Sequence, residues 1–184
     1  MALDEESLVA KAKRRDAAAF AQLYEAYFER IYRYFVVRVG NTWEAEDLTE
    51  QVFLRALESI ENYEWRGVSF GAWLFRIAHN LIVDSLRRKS NGTEPLLAAE
   101  TIPGDDDLEE IVDLNLRIEQ VLEVLPLLTN DQRQVIALRF GAGLPIAESA
   151  RIMGKSEGAI KALQYNALAA LRRLLSKRLN RVAS

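Results

Sequence analysis

The apolar residues of this chain recur at three- and four-residue spacing along almost its whole length, and no stretch alternates at period two. That spacing places apolar side chains on one face of an α-helix, as in the series Leu23, Tyr27 and Ile31. The pattern predicts an all-α fold. Interruptions in it divide the chain into two small helical domains joined by an acidic flexible linker.

Three capped helices are predicted in the first domain, residues 1–90. Asp16 can cap the first, which ends near Gly40, because an aspartate side chain accepts from free amides and glycine tolerates a left-handed turn. Thr42 is the predicted cap of the second helix, and Ser69 of the third. The third ends in a basic turn, residues 87–89, where cations complement the helix dipole.

The linker is predicted over residues 91–113. It contains Pro95, Pro103–Gly104 and the run Asp105–Asp107, a composition that is too polar and too broken for a packed helix. Regular helical spacing resumes beyond it, so the second domain is predicted over residues 114–184.

A helix-turn-helix is predicted within the second domain. Thr129, with Gln132 three residues later, forms a capping-box pattern, and Pro145 suits the first turn of a short helix ending at Met153. Gly154 then makes a tight turn, and Ser156 can cap a long final helix. A short helix, a glycine turn and a second helix are typical of DNA-reading modules, although an ordinary helical hairpin has the same pattern.

Charge is segregated along the chain. The net charge of −3 combines −5 over residues 41–62, +3 over 63–90, −9 over 91–125 and +7 over 126–184, with a net +1 before residue 41. Two basic blocks separated by acidic stretches indicate two surfaces that face a polyanion. Solvated helix faces are the simpler alternative.

Aromatic and basic residues are concentrated between residues 63 and 76. Tyr63, Trp65 and Arg66 fall in a predicted loop, where rings and cations suit unstacked bases and phosphates of single-stranded nucleic acid. Phe70, Trp73 and Phe75 are expected in the core. On the following helix a polar stripe shares one face, with Arg88 beside it, and it consists of Arg76, Asn80, Asp84 and Arg87. An ordinary solvent-exposed helix face with no binding role would show the same pattern of residues.

Several classes of function are excluded or disfavoured by composition. The chain has no cysteine and one histidine, which excludes disulfides and a cysteine nucleophile and argues against zinc. His79 is expected to be structural. No catalytic residues, metal or cofactor are expected, because no phosphate loop, metal cluster or nucleophile–base arrangement is present. The absence of a signal or membrane-spanning pattern predicts a cytoplasmic location.

Three ordered segments resemble the bacterial sigma-70 superfamily, specifically the extracytoplasmic-function (ECF) sigma factors. Residues 46–56 (EDLTEQVFLRA) are similar to that family's polymerase-binding helix, and residues 70–80 (FGAWLFRIAHN) to its promoter-melting helix. Leu125–Pro126, Arg133, Leu138–Arg139 and residues 154–171 are similar to its promoter-reading domain. Together the segments cover roughly residues 16–90 and 115–178.

This resemblance implies a promoter-specificity subunit that is not itself an enzyme. Its partners would be core RNA polymerase, through the beta and beta-prime subunits, promoter DNA as duplex minus-35 and single-stranded minus-10 elements, and an anti-sigma factor. The implied polymerase contacts are Glu46, Asp47, Leu48, Gln51, Val52 and Arg55. The implied minus-10 contacts are Tyr63, Trp65, Arg66, Arg76, Asn80, Arg87 and Arg88. The implied minus-35 contacts are Lys155, Ser156, Glu157, Lys161, Ala162, Tyr165 and Asn166.

Two positions depart from the family pattern. Asn166 stands where the family often has arginine, and Ala162–Leu163 replaces a commoner small-polar and basic pair. Because asparagine suits adenine and arginine suits guanine, we expect an altered minus-35 preference with DNA binding retained. A stand-alone helix-turn-helix regulator and a metal-dependent nuclease, with Asp105–Asp107 as its only candidate ligands, are the alternatives.

Overall fold

The computed structural model describes residues 4–64, 68–90 and 119–182. In these ranges all regular structure is helical, which confirms the predicted all-α class. The predicted linker, residues 91–113, lies outside them, as do Trp65 and Arg66. The helices are α1 (Glu5–Ala12), α2 (Ala17–Val39), α3 (Thr42–Ser59), α4 (Phe70–Ser90), α5 (described over residues 119–124), α6 (Asn130–Ile136), α7 (Ile146–Met153) and α8 (Glu157–Val182).

Most of the predicted helix ends are confirmed by cap geometry. Asp16 Oδ1 accepts from the Ala19 amide at 3.0 Å, and α2 ends at Gly40 with φ of 70°. At the start of α6, Thr129 and Gln132 exchange both bonds of a capping box. Gly154, with φ of 62°, closes α7. These ends follow from local chemistry, which is why the sequence alone specifies them.

Two predicted ends were wrong by one residue, and one helix was missed. The cap of α3 is Asn41, whose Oδ1 accepts from Glu44 at 3.0 Å, so Thr42 is already helical. Pro145 is the extended cap of α7 and does not lie in its first turn. Helix α1 was not predicted; its Leu8, Val9 and Ala12 are buried against α2. An eight-residue helix carries too few apolar repeats to stand out in the sequence.

Helix α2 is the centre of the first core. It packs against α1, α3 and α4, and its Ile31, Tyr34 and Phe35 have no exposed surface. Phe75 of α4 meets the Tyr34 ring edge-on, with ring centroids 5.9 Å apart. Burying large rings on several sides of one helix fixes α3 and α4 relative to each other.

The helix-turn-helix has a smaller core of its own. Val135 of α6 and Ile160 and Ala167 of α8 are fully buried, and Leu125 closes the cluster from a 3-10 turn, Leu125–Leu127. Between α6 and α7 the chain makes a π-helical turn, Ala137–Gly141. The predicted motif of short helix α7, glycine turn and long helix α8 is confirmed.

The two halves of the chain pack directly on each other, which the sequence did not predict. Ala137, Leu138, Ala142 and Leu144 from the π turn and the loop after it are buried in the same cluster as the α2 and α4 core. Periodicity identifies which face of a helix is apolar, but it does not say which distant segment covers that face. We call this contact the seam.

Candidate nucleic-acid interface

The first turns of helix α8 present a polar face to solvent. Ser156 Oγ accepts from the Ala159 amide at 3.2 Å and fixes the start of the helix. Ile160 and Ala167 face the core, while the predicted minus-35 contacts face solvent, with Tyr165 75% exposed. All seven members are exposed: Lys155, Ser156, Glu157, Lys161, Ala162, Tyr165 and Asn166. Side chains on the first turns of such a helix can reach base edges in a major groove.

Side chains of Arg139 and Lys155 hold α8 and the turn before it against neighbouring residues. Arg139 Nε donates to Gln164 Oε1 at 2.8 Å, and the same guanidinium donates to the Leu144 carbonyl. Lys155 Nζ lies 3.0 Å from Asp131 Oδ2, so this predicted DNA contact is ion-paired within the protein. The role of Arg139 was missed, because nothing in its sequence neighbourhood indicates a partner 25 residues away.

Helix α3 carries the predicted polymerase contacts on two different faces. Glu46, Asp47 and Arg55 are exposed, and Gln51 donates to Asp47 Oδ2 at 2.7 Å across one helical turn. Leu48 and Val52 are buried, at 3% and 0% exposure, so their side chains serve the core in this structure. Leu54 and Leu57 are also apolar, but they are 57% and 51% exposed.

Helix α4 displays the predicted polar stripe. Ser69 Oγ accepts from the Ala72 amide at 3.1 Å, which confirms the predicted cap. Arg76, Asn80, Asp84, Arg87 and Arg88 are all exposed on this helix. The structure therefore brings the described α4 members of the predicted minus-10 set onto one outward face.

Two family models match most of this chain. Residues 23–92 match the family described as Sigma-70 region 2, and residues 124–173 match Sigma-70, region 4. The ECF RNA polymerase sigma factor SigW of Bacillus subtilis is 30% identical over 177 residues, which cover 91% of this chain and 94% of SigW. This chain belongs to the ECF RNA polymerase sigma factors.

Two further comparisons place the ECF sigma factor among its relatives. It is 42% identical over 175 residues to the ECF RNA polymerase sigma factor BldN of Streptomyces coelicolor, covering 91% of this chain and 64% of BldN. The sigma factor RpoE of Bartonella quintana, solved in complex with the anti-sigma factor NepR, aligns with a TM-score of 0.67 at 23% identity. That alignment covers 85% of this chain and 96% of RpoE and supports the same fold.

Tyr63 of this sigma factor is placed differently from the sequence expectation. We expected a loop ring that faces bases, but Tyr63 is 5% exposed, packs on Phe70 and Trp73, and donates its hydroxyl to the Val68 carbonyl at 2.7 Å. Burial, with the Glu5 carboxylate nearby, raises the pKa of Tyr63 to about 12. In this conformation Tyr63 supports the first turn of α4 from the core side. Phe70 and Phe75 are buried, as expected.

The part of the sigma factor that the structure describes contains no group of three or more histidine, cysteine, aspartate or glutamate side chains that could hold a metal ion. None of the described helices is both long and apolar enough to cross a bilayer.

Proposed function

We propose that this chain binds core RNA polymerase and directs it to promoters by recognising a duplex minus-35 element and a melted minus-10 element. The observation that carries the proposal is the outward face of α8, where Lys161, Tyr165 and Asn166 are exposed on a helix anchored by Arg139. Lys161 supplies a cation for DNA phosphates, and Asn166 can pair with an adenine edge.

Minus-10 capture is assigned to the exposed stripe on α4. Arg76, Arg87 and Arg88 provide cations for a displaced strand, and Asn80 provides a hydrogen-bonding group beside them. Trp65 and Arg66, which precede this helix in the sequence, complete the proposed set, and Tyr63 supports the start of the helix from the core. Flipping a base costs a few kcal/mol, which such contacts offset.

Polymerase binding is assigned to the exposed face of α3. Glu46, Asp47 and Arg55 offer charged contacts, and Gln51 lies between them. Leu48 and Val52 support this face from the core. The N-terminal domain, residues 1–90, would then bind polymerase and the minus-10 element. The linker, residues 91–113, would connect it to the C-terminal domain, residues 114–184, which would read the minus-35 element.

We also assign an anti-sigma protein as a regulatory partner. Leu54 and Leu57, one turn apart on α3, are 57% and 51% exposed, and a partner's apolar side chains would cover them. The proposed working location is the cytoplasm, where polymerase and chromosome are. The chain carries no catalysis of its own in this proposal, since bond formation belongs to polymerase.

Co-elution with core polymerase tests the assignment of α3. The wild-type chain is expected to elute with purified bacterial core enzyme, and the paired variant Glu46→Ala with Asp47→Ala to lose most of this binding. Gln22→Ala, an exposed change on α2, is the control. Equal retention of the paired variant and the control would remove α3 from the polymerase interface.

A further inference from the structure

Tyr63 connects three parts of the first domain. Its hydroxyl donates to the Val68 carbonyl at 2.7 Å, and its ring packs against Trp73 of α4, with ring centroids 5.0 Å apart. Its backbone carbonyl accepts a hydrogen bond from Lys13 Nζ at 2.6 Å. Lys13 is the residue that follows the last turn of α1, 50 positions earlier in the sequence. Tyr63 therefore joins α1 to the segment that begins α4.

The Lys13 bond is made at the end of a helical turn. Ile60–Asn62 form a 3-10 turn, and Tyr63 is its C-terminal cap, with its amide donating to the Ile60 carbonyl at 3.1 Å. Carbonyls at the C-terminal end of a helix point away from it and carry partial negative charge, so a cation there is favourable. A hydrogen bond from an ammonium is also stronger than one between neutral groups. Lys13 therefore fixes the point where the backbone leaves this turn toward α4.

The turn between α1 and α2 makes a second contact beside the first. Among the described residues Arg15 is the one non-glycine residue with a positive φ, 64°, a conformation that persists only where surrounding contacts stabilise it. Arg15 Nε donates to Glu61 Oε1 at 2.8 Å, so the turn also reaches the 3-10 turn. This ion pair is exposed and contributes little on its own. We therefore expect the half-buried Lys13 bond to be the stronger of the two contacts.

Helix α1 is a firm base for these contacts. Its Leu8, Val9 and Ala12 are buried in the core that contains α2. Glu5, in its first turn, also acts on Tyr63: burial raises the pKa of Tyr63 to about 12, and the Glu5 carboxylate adds to that effect. The Sigma-70 region 2 match begins at residue 23, so the family match gives no role to α1 or to Lys13.

We infer that Lys13 is a positioning residue for minus-10 recognition, and that it acts by fixing Tyr63 and, through Tyr63, the start of α4. The inference deepens the proposed function and rests on it, because Arg76 and Asn80 of α4 are proposed minus-10 contacts. Trp73, on which the Tyr63 ring packs, lies on the helical turn before Arg76. Side chains that read a base must be held to within about 0.5 Å, and their supporting contacts provide that precision. Loss of the Lys13 bond should therefore lower discrimination between bases and leave polymerase binding, which is assigned to α3, unchanged.

Three variants at two positions test this role. Lys13→Met keeps the aliphatic stem and removes the donor, while Lys13→Arg retains a cation that can donate. Lys11→Met is the matched control, because Lys11 is exposed on the same helix and loses the same charge and the same atoms. Co-elution of each full-length chain with purified core RNA polymerase is measured first. Amide hydrogen exchange at residues 60–63 is then measured on each free chain.

Selectivity at the minus-10 element separates positioning from stability. Run-off transcription is measured with core polymerase on a promoter selected by the wild-type chain and on versions with single-base changes in its minus-10 element. The readout is the ratio of transcript from the selected template to transcript from a changed one. A chain that is only less stable has a smaller active fraction, which lowers both transcripts equally and leaves this ratio unchanged.

We expect Lys13→Met to lower the ratio by about threefold or more, a part of the discrimination that one base contact supplies. Exchange at residues 60–63 should become faster, and co-elution with polymerase should be unchanged. Lys11→Met should match the wild type, and Lys13→Arg should recover most of the ratio.

An unchanged ratio in Lys13→Met would overturn the inference even if exchange becomes faster, because the contact would then be structural only. A lower ratio with unchanged exchange at residues 60–63 would also overturn it, since Lys13 would then act on DNA without Tyr63. If the wild-type chain itself gives no selective initiation, the proposed function fails and the inference fails with it. The wild-type result therefore distinguishes the two failures.

Discussion

Arg38 and Asn130 are 92 residues apart in the chain, yet the Arg38 guanidinium donates to the Asn130 side chain at 2.8 Å and to its carbonyl at 3.3 Å. The contact joins the middle of the first domain to the first turn of α6. It explains why a buried arginine lies on the apolar stripe of α2. Long-range pairs of this kind hold the first and second halves of the sigma factor together.

Acidification should open the seam through His79. Burial and the Arg38 charge lower the pKa of His79 in the closed state, and its Nδ1 accepts from the Gln134 amide, which needs a neutral ring. In the open state the pKa returns to about 6.5, so the open form binds more protons. The closed form is therefore not penalised by His79 above about pH 7, and it is weakened as the pH falls through 6.5 toward the lowered pKa of the closed state.

The groups around His79 bear on how this effect is measured. Gln134 of α6 contacts the ring, and the charge of Arg38 on α2 acts on it. Tyr34 bonds to Gln134, and Tyr34, Asp131 and Arg133 interact electrostatically with Arg38. Fluorescence energy transfer can be measured between dyes on Glu25→Cys of α2 and Ser176→Cys of α8, both exposed positions in a chain without cysteine. Its efficiency should decline from pH 8 to pH 5 with His79 present, and His79→Gln should flatten this pH profile. A wild-type profile that is flat, or that rises on acidification, contradicts the assignment.

Lys161→Ala should weaken minus-35 binding uniformly across sequences. Lys161 is exposed on the outward face of α8, and one lost phosphate contact lowers the slope of log affinity against log salt by about 1. Footprinting titrations at several salt concentrations on a selected promoter measure this. An unchanged affinity and slope would remove Lys161 from the interface.

Asn166→Arg should change minus-35 preference from adenine toward guanine at one position. Asparagine pairs with adenine N6 and N7, whereas arginine pairs with guanine O6 and N7, and each such pair discriminates by about 1–3 kcal/mol. Asn166 is exposed, so the fold should tolerate the change. Selection from a randomised minus-35 library compares the two proteins; identical selected sequences would show that Asn166 does not read a base.

Leu48→Ala and Glu46→Ala should separate stability from polymerase binding. Leu48 is 3% exposed, so its truncation should cost about 2–5 kcal/mol in the free energy of unfolding, measured in urea. Glu46 is exposed, so its replacement should leave stability within about 0.5 kcal/mol and lower affinity for core polymerase. A stable Leu48→Ala chain with specifically lost polymerase affinity would instead make Leu48 a contact residue.

Arg139→Ala should loosen the recognition helix without removing a DNA contact. The change deletes the Gln164 contact and leaves the Leu144 carbonyl without this donor, a loss of about 1–3 kcal/mol in unfolding free energy. We expect faster amide exchange in the first turns of α8 together with weaker minus-35 binding. Lys at the same position should restore stability only in part, because an ammonium lacks the planar fork. Unchanged exchange would contradict this positioning role.

Helix ends and faces could be predicted from sequence because they depend on near neighbours. Asp16, Thr129 and Gly154 act within a few residues of themselves, and the exposed face of α8 follows from the spacing of Ile160 and Ala167. The resemblance to sigma factors added roles that the spacing alone could not supply.

The seam and the position of Tyr63 could not be predicted in the same way. Gln134 pairs with Tyr34 across 100 residues, and no local pattern specifies that contact. One signal was present: Arg38 falls on the stripe formed by Ile31, Tyr34 and Phe35, where a charge needs a buried partner. Tyr63 was assigned from its loop position, but the rings of Phe70 and Trp73 create a pocket that the sequence does not show.

The most direct test of the central claim is run-off transcription by purified bacterial core polymerase on a promoter library, with and without this chain. We expect sequence-selective initiation only when the chain is present, with both promoter elements recovered from the active templates. Lack of initiation and of co-elution with core polymerase, together with tight binding to a palindromic duplex, would contradict it and indicate a stand-alone regulator.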